Sequence, residues 1–246
     1  MGILLTIAYD GTSYCGWQVQ KNGITICGVL KEALGKVLAG PSFSVLGASR
    51  TDAGVHALGQ RAHLITGSKI PMPLGKLPIV LNSALPNDIA VTAAVDVCDS
   101  FHPIGDAKSK TYVYKINNQT HRNPLTHRHA THISKPLNLR AMQVAAKHFE
   151  GEYDFIGFSA SGISVKSTVR TIYSLTIDQT EGLLEINING NGFLYNMVRI
   201  IAGTLVDVGL GKTSPDQIPY IISSRDRAKA GKTMPPNGLT LLEVFY

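Results

Sequence analysis

The chain has 246 residues, of which 44% are hydrophobic, and a mean hydropathy of +0.08. These values are typical of a soluble globular protein with a full core, and they exclude a disordered or fibrous chain. The formal net charge of +6 favours a polyanionic partner, most simply nucleic acid, although an ordinary solvated basic surface gives the same sum.

The first half of the chain predicts the order strand, helix, strand, strand, helix, strand. The strands are expected at Ile3–Tyr9, Phe43–Ser49, Ala57–Thr66 and Ile89–Val97. One helix is expected between a Thr25 cap and Gly40-Pro41, and another at Leu74–Leu85. This order is typical of a ferredoxin-like or RNA-recognition-like unit.

The second half predicts a similar alternation. Its strands are expected at Thr111–Asn117, His129–Ile133, Val169–Ile177, Leu183–Asn189 and Leu239–Tyr246. Its helices are expected after an Asn138 cap, at Phe193–Val208 and after Pro215. We therefore predict an α+β protein of two related halves, residues 1–104 and 105–246, which share a mostly antiparallel sheet with helices packed on it.

The positive charge is concentrated between Asp106 and Glu150. That segment has eight basic residues, and its only acids are the two ends. The eight are Lys108, Lys110, Lys115, Arg122, Arg128, Lys135, Arg140 and Lys147. We expect this segment to supply a surface for a phosphate backbone.

Three further features of the sequence bear on where the protein resides. The three cysteines are scattered without CxxC spacing, which argues against a disulfide framework and fits a reducing cytoplasm. The start MGILLTIAYDG indicates a first strand rather than a signal peptide. The longest apolar run is interrupted by Asn196, Arg199 and Asp207, so it predicts a buried helix rather than a membrane span.

One acid lies in a glycine-punctuated stretch, GASRTDAGVHALGQ. Asp52 is followed closely by Gly54, and its small neighbours allow a ligand to approach. Three interpretations are open: a tight turn in which Asp52 accepts from amides two residues on, a phosphate-binding glycine loop, or a catalytic carboxylate.

A second candidate lies on the predicted helix Phe193–Val208. Arg199 shares a helix face with Tyr195, Ala202 and Val206, and a guanidinium buried there needs an acidic partner. Pairing with Asp52 would keep that acid ionised, as a nucleophile or base requires. The alternative is an arginine whose stem is buried and whose head reaches water.

Lysines flank two tyrosines in AKSKTYVYK. Tyr112 and Tyr114 lie on one face of the predicted strand, among Lys108, Lys110 and Lys115. Such a strand suits base stacking combined with phosphate contacts, and the alternative is that both rings face the core.

Two further patterns resemble a phosphate-binding loop and a metal site, but the neighbouring residues favour other interpretations. VDVGLGKTS resembles the end of a phosphate-binding loop, but Val206 replaces the first glycine and the segment follows a helix. HRHATH groups His127, His129 and His132 without a nearby acid or cysteine, so exposed or phosphate-facing histidines are favoured over a metal site.

Seven motifs in order resemble the tRNA pseudouridine synthase A (TruA) family across essentially the whole chain. They are YDGTSYCGWQVQ, RTDAGVHALGQ, FHP, KTYVY, GEYDFIGF, NGFLYNMVRIIAGTLVDVG and PPNGLTLLEVFY. The resemblance implies a pseudouridine-synthase-like fold with a central basic cleft. It also implies conversion of uridines 38, 39 and/or 40 in the tRNA anticodon stem-loop to pseudouridine, by a cytoplasmic homodimer without metal or cofactor.

The resemblance also implies residue roles. Asp52 would be the nucleophile, Tyr112 would stack on the target base, Arg199 would pair with Asp52, and Arg50 would fill the space left by the flipped base. Lys69 is the nearest candidate for an arginine that some relatives use to hold the displaced base. Further RNA contacts are expected from the basic segment, at Lys108, Lys110, Arg122 and Arg128.

The expected chemistry agrees with the residues present. Pseudouridine formation breaks an N–C glycosidic bond and rejoins the base through carbon, without redox or energy input, and the base must leave its stack. Attack of Asp52 on the ribose, attack on the uracil ring, and action as a base are all open. The competing functions are a non-catalytic RNA-binding protein and an aspartate-dependent, metal-requiring phosphate ester hydrolase.

Overall fold

The computed structural model describes residues 2–38, 42–67, 70, 72–160 and 165–246. They form two compact units, one of residues up to Lys108 together with Thr240–Tyr246, the other Ser109–Leu239. The final strand thus groups with the first unit, whereas the sequence places it in the second half. The division into residues 1–104 and 105–246 stays a prediction.

The first unit has the predicted order of strands and helices. Its strands are β1 (Gly2–Tyr9), β2 (Phe43–Gly47), β3 (His56–Thr66), β4 (Ile89–Val97) and most of β10 (Leu239–Phe245), and its helices are α1 (Ile26–Leu38) and α2 (Leu77–Ala84). Strand β1 is antiparallel to β3 and β4, and β2 is antiparallel to β3. The last strand adds to β3 in parallel, through Thr240 and Leu241.

Alternating apolar residues position these elements. Ile3, Leu5 and Ile7 are fully buried on one face of β1, and Leu30 and Leu34 of α1 are fully buried as well. An apolar stripe of this kind buries a helix against a sheet.

The predicted cap of α1 is confirmed, because the Gly28 amide donates to Thr25 Oγ1 at 3.2 Å. The predicted end of this helix at Gly40-Pro41 lies outside the described residues.

The second unit has an antiparallel sheet in the order β5–β9–β8–β7, with β6 parallel to β5. Its strands are β5 (Ser109–Asn117), β6 (Thr131–His132), β7 (Gly151–Asp154), β8 (Val169–Thr180) and β9 (Leu183–Gly190). Its helices are α3 (Leu139–Lys147), α4 (Met197–Gly209) and α5 (Ile218–Ser224). Helix α3 packs on α4 and β8. Each unit is therefore a sheet with helices packed on it, which confirms the α+β class.

Some predicted elements are shorter in the structure. The helix expected at Leu74–Leu85 is a 3-10 turn at Leu74–Lys76 followed by α2. The strand expected at His129–Ile133 is only Thr131–His132, because the His129 amide donates to Thr126 O in a turn. The helix expected from Phe193 begins at Met197, after Asn196 adopts a left-handed φ of 62°. Within the described ranges, no helix combines the length and apolarity needed to cross a membrane.

Candidate active site

Asp52 lies on the loop between β2 and β3, and the backbone of the N-terminal loop holds it in place. Thr51 O accepts from the Trp17 amide at 3.0 Å, and the Gly54 amide donates to Tyr14 O at 3.3 Å. An Asx turn would direct the Gly54 amide to the Asp52 carboxylate. The Gly54 amide donates to Tyr14 O and the Val55 amide donates to Asp52 O at 3.1 Å, so Asp52 begins a tight backbone turn that is tied to the N-terminal loop.

The close approach of the two loops depends on Gly16. Its φ is +88°, and a Cβ there would lie 2.5 Å from Thr51 O, so a side chain would be both strained and obstructed. Gly54 also has a positive φ, of +77°. The glycines therefore fix where Asp52 lies.

Two buried side chains fix the residues that precede Asp52. The Gln60 side chain, fully buried on β3, donates to Ser49 O at 2.7 Å and accepts from the Ser49 amide at 3.2 Å. The Tyr9 hydroxyl lies 2.7 Å from Thr51 Oγ1. The Asp52 side chain itself is partly exposed and Arg50 is exposed. A rigid loop thus presents a carboxylate and a guanidinium at the surface of the first unit.

His56 and Asp10 are in contact near the Asp52 loop, and the sequence reasoning did not single them out. His56 is 3% exposed, and its Nδ1 lies 3.1 Å from both the Gly11 amide and Asp10 Oδ1. A neutral Nδ1 accepts from the amide, whereas a protonated one donates to the carboxylate. The pair ties the start of β3 to the N-terminal loop. Their presence in the YDG and RTDAGVHALGQ motifs was the signal that could have found them.

Tyr112 and Tyr114 lie on the same face of β5, and both are buried. Tyr114 is fully buried, its hydroxyl donates to Pro235 O at 2.8 Å and lies 2.6 Å from Thr131 Oγ1, and burial raises its pKa. Tyr114 is therefore a core residue, and the idea that both rings form an exposed stacking surface is wrong. Tyr112 is 6% exposed and packs edge-on against Phe193, with ring centroids 5.3 Å apart.

Arg199 lies in the first turn of α4 and is half-buried. Its Nε donates to Met234 O at 2.7 Å, its Nη1 donates to Asn196 Oδ1 at 2.7 Å, and its carbonyl accepts from the Met234 amide at 3.2 Å. These contacts orient the guanidinium, in contrast to a head that extends freely into water. Asp52 and Arg199 belong to different units, and their pairing stays a prediction.

The proposed RNA-contacting residues differ in exposure. Lys108, Arg122 and Arg128 are exposed, whereas Lys110 is 9% exposed. Burial, reinforced by the nearby Arg170, lowers the pKa of Lys110 to about 8. Lys69 lies outside the described residues.

Residues of the two patterns that were set aside make local contacts within the second unit. The VDVGLGKTS segment begins in the last turn of α4 and continues past its end, and Lys212 Nζ pairs with Asp207 at 3.0 Å. His127 Nδ1 lies 2.5 Å from Pro124 O, and His132 Nε2 lies 2.9 Å from Gln119 O. Each of these two imidazoles therefore has one nitrogen engaged by a backbone carbonyl.

The first unit thus presents a carboxylate on a rigid loop, and the second unit holds an oriented arginine and an aromatic residue in a basic segment. These are residue types that chemistry on a nucleic acid uses. Comparisons with known proteins agree with chemistry of this class. The family model described as tRNA pseudouridine synthase matches residues 5–104 and 145–246.

The similarity to curated relatives extends over nearly the full length. A tRNA pseudouridine synthase A from Thermoanaerobacter sp. (strain X514) is 50% identical over 244 residues, 99% of both chains. The corresponding protein from Ruminiclostridium cellulolyticum is 48% identical over 245 residues, again 99% of both. A solved chain from a Cbf5-Nop10-Gar1 complex aligns with 97% of this chain and 48% of its own length, at 12% identity and a TM-score of 0.39.

The chain belongs to the tRNA pseudouridine synthase family. It is therefore an enzyme that isomerises uridine to pseudouridine in tRNA. Family membership decides against the two competing functions, a non-catalytic RNA-binding protein and a phosphate ester hydrolase.

Proposed function

We propose that this enzyme converts uridines 38, 39 and/or 40 of the tRNA anticodon stem-loop, with Asp52 as the nucleophile. The observation that carries the proposal is the position of Asp52, a partly exposed carboxylate on a loop held by Trp17, Tyr14 and Gln60. A nucleophile held in this way needs little reorganisation when the target nucleoside arrives.

The other residues supply what the isomerisation requires. In the reaction the bond from uracil N1 to the ribose breaks, a bond from C5 forms, and the C5 proton passes to solvent while N1 regains one. Arg199 pairs with Asp52 and keeps it ionised. Tyr112 stacks on the flipped base and Arg50 takes its place in the RNA, which offsets the cost of unstacking.

Basic residues hold the RNA backbone. Lys108, Lys110, Arg122 and Arg128 belong to the basic segment, and Lys69 is a further candidate at the displaced base. The enzyme acts in the cytoplasm as a homodimer whose RNA extends across both subunits, and its reaction uses no metal or organic cofactor. This part of the proposal is supported by the resemblance to the TruA family and by the charge of the segment.

Mapping of pseudouridines in tRNA tests the target positions. In a strain that lacks this protein, we expect positions 38, 39 and 40 of its substrate tRNAs to be uridine while other pseudouridines persist. The wild-type protein should restore them, and Asp52→Ala should not. Asp96→Asn, at an exposed acid on β4 of the same unit, is the matched control and should restore them. Unchanged modification at all three positions in the deletion strain contradicts the assignment.

A further inference from the structure

The loop between β5 and β6 has a fixed shape in the second unit. Asn123 Oδ1 accepts from the Leu125 amide at 2.9 Å, and the Thr126 amide donates to Asn123 O at 3.2 Å. The Asn237 side chain donates to His127 O at 2.8 Å and to Ala130 O at 3.1 Å. These bonds make the loop a preformed surface.

A cavity of about 250 Å³ lies between this loop, the ends of β5 and β6, and the turn at Pro236–Gly238. It is lined by Asn117, Arg122, Asn123, Thr126, His127, Ala130, Thr131, His132, Pro235 and Asn237. No acid is among these lining residues. The volume is below the roughly 300–1,000 Å³ of a pocket for a drug-sized ligand, so it suits a single chemical group.

The cavity is rich in hydrogen-bond donors. Asn117 Oδ1 accepts from the Gln119 amide at 3.1 Å and Asn123 Oδ1 from Leu125, so each side chain presents its NH₂ group as a donor. Among the residues that the structure describes, Nδ2 of Asn117, Nδ2 of Asn123 and the Arg122 guanidinium have no hydrogen-bond acceptor. Three sets of donors in an acid-free concavity select for an anion with several acceptor oxygens.

The cavity adjoins the segment that orients Arg199. Pro235, which lines it, accepts from the Tyr114 hydroxyl, and the preceding Met234 accepts from Arg199 Nε. An anion bound in this cavity would therefore lie near a residue proposed to act on the target nucleotide.

We propose that this cavity, named here the Arg122 pocket, binds one phosphate group of the tRNA backbone and fixes the register of the RNA at the active site. The identity of the phosphate as part of tRNA rests on the proposed function. The phosphate chemistry rests on the pocket alone: the Arg122 guanidinium contacts two oxygens, and Nδ2 of Asn117 and Nδ2 of Asn123 donate to the others.

Inorganic phosphate tests the chemistry without RNA. Phosphate is titrated into the wild-type enzyme at constant ionic strength, and the imidazole NMR signals of His127 and His132 are followed. We expect a saturable shift of both signals. Arg122→Ala should abolish it. Lys36→Ala, which removes an equal charge from an exposed position on α1 outside the pocket and outside the basic segment, should retain it. The absence of a saturable shift, or equal shifts in both variants, overturns the proposal.

tRNA binding tests the source of the phosphate. Arg122→Ala should raise the Kd for substrate tRNA at least fivefold and reduce the slope of log Kobs against log salt by about 0.7–0.9, as expected for one lost phosphate. Lys36→Ala should change the Kd less than twofold, and Arg122→Lys should recover part of the loss. Identical Kd values and slopes for Arg122→Ala and Lys36→Ala would show that RNA does not occupy the pocket.

The outcomes separate this proposal from the proposed function. If phosphate binds at the pocket but the wild-type enzyme leaves uridines 38–40 unchanged, the pocket stands and the proposed target fails. If the enzyme modifies those positions and the two variants behave alike in both assays, the pocket proposal fails.

Discussion

Lys110 is a basic residue whose protonated form is disfavoured in the folded unit. It is buried beside Tyr112 on β5, and burial with the nearby Arg170 lowers its pKa from 10.5 to about 8. Burial disfavours the protonated form of Lys110 in the free protein, which lowers its stability. A bound phosphate would stabilise that protonated form, so RNA binding would recover this loss of free energy. The sequence identified Lys110 as a basic residue of the site, but its burial depends on packing that no local pattern shows.

The pH dependence of stability follows from this lowered pKa. Between pH 8 and pH 10 the unfolded chain still holds the Lys110 proton that the folded protein has lost, so a rise in pH favours the folded state. The free energy of unfolding of the wild type should rise relative to Lys110→Met, by up to about 1.4 kcal/mol per pH unit. Urea unfolding at several pH values measures it. Parallel curves for the two proteins contradict the lowered pKa.

The contact between His56 and Asp10 was not predicted from the motifs that contain these two residues. Both lie in motifs that the sequence reasoning noted, but their contact joins positions 46 residues apart. Their proximity arises because β1 and β3 are antiparallel neighbours, with Tyr9 opposite Ala57. A pairing register of this kind is set by tertiary structure, which explains why the contact was missed.

At the scale of elements, the loop that carries Asp52 depends on the loop before α1. A Cβ added at Gly16 would lie 2.5 Å from Thr51 O in the Asp52 loop. Gly35 lies in the interior of α1, and a Cβ added there would have nothing within 4 Å. The two glycines form a matched pair for the same substitution.

Gly16→Ala should destabilise the protein by at least about 1–2 kcal/mol from the left-handed backbone alone, and the displaced loop should also reduce activity. Gly35→Ala should stabilise it by about 0.5–1 kcal/mol and leave activity unchanged. Urea unfolding and initial rates on substrate tRNA measure both effects. A Gly16→Ala protein with wild-type stability and rate would show that the close contact between the loops is dispensable.

Most elements followed from periodicity, and the exceptions have physical causes. The alternation in Ile3–Tyr9 and the caps at Thr25 and Asn138 gave correct elements, since these signals are local. The strand expected from His129 was shortened by a hydrogen-bonded turn. The helix expected from Phe193 began later because Asn196 adopts a left-handed conformation.

At the scale of the whole molecule, the proposed catalytic residues are divided between the two units. Asp52 and Arg50 belong to the first, and Tyr112 and Arg199 belong to the second. Local spacing could not connect residues so far apart in the chain, and the charge argument only linked Arg199 with an acid. Seven collinear motifs made the connection, and the family comparisons confirm the family and the reaction that those motifs implied.

The central claim is that Asp52 is the nucleophile, and release of tritium from tRNA labelled at uridine C5 tests it most directly. The isomerisation exchanges that hydrogen with solvent, so release reports chemistry rather than binding. Asp52→Asn should lower the single-turnover rate at least about a thousandfold, since it removes the reacting group, while the Kd for tRNA stays within a few-fold of wild type. Tritium release at the wild-type rate by a pure, folded Asp52→Asn protein contradicts the account.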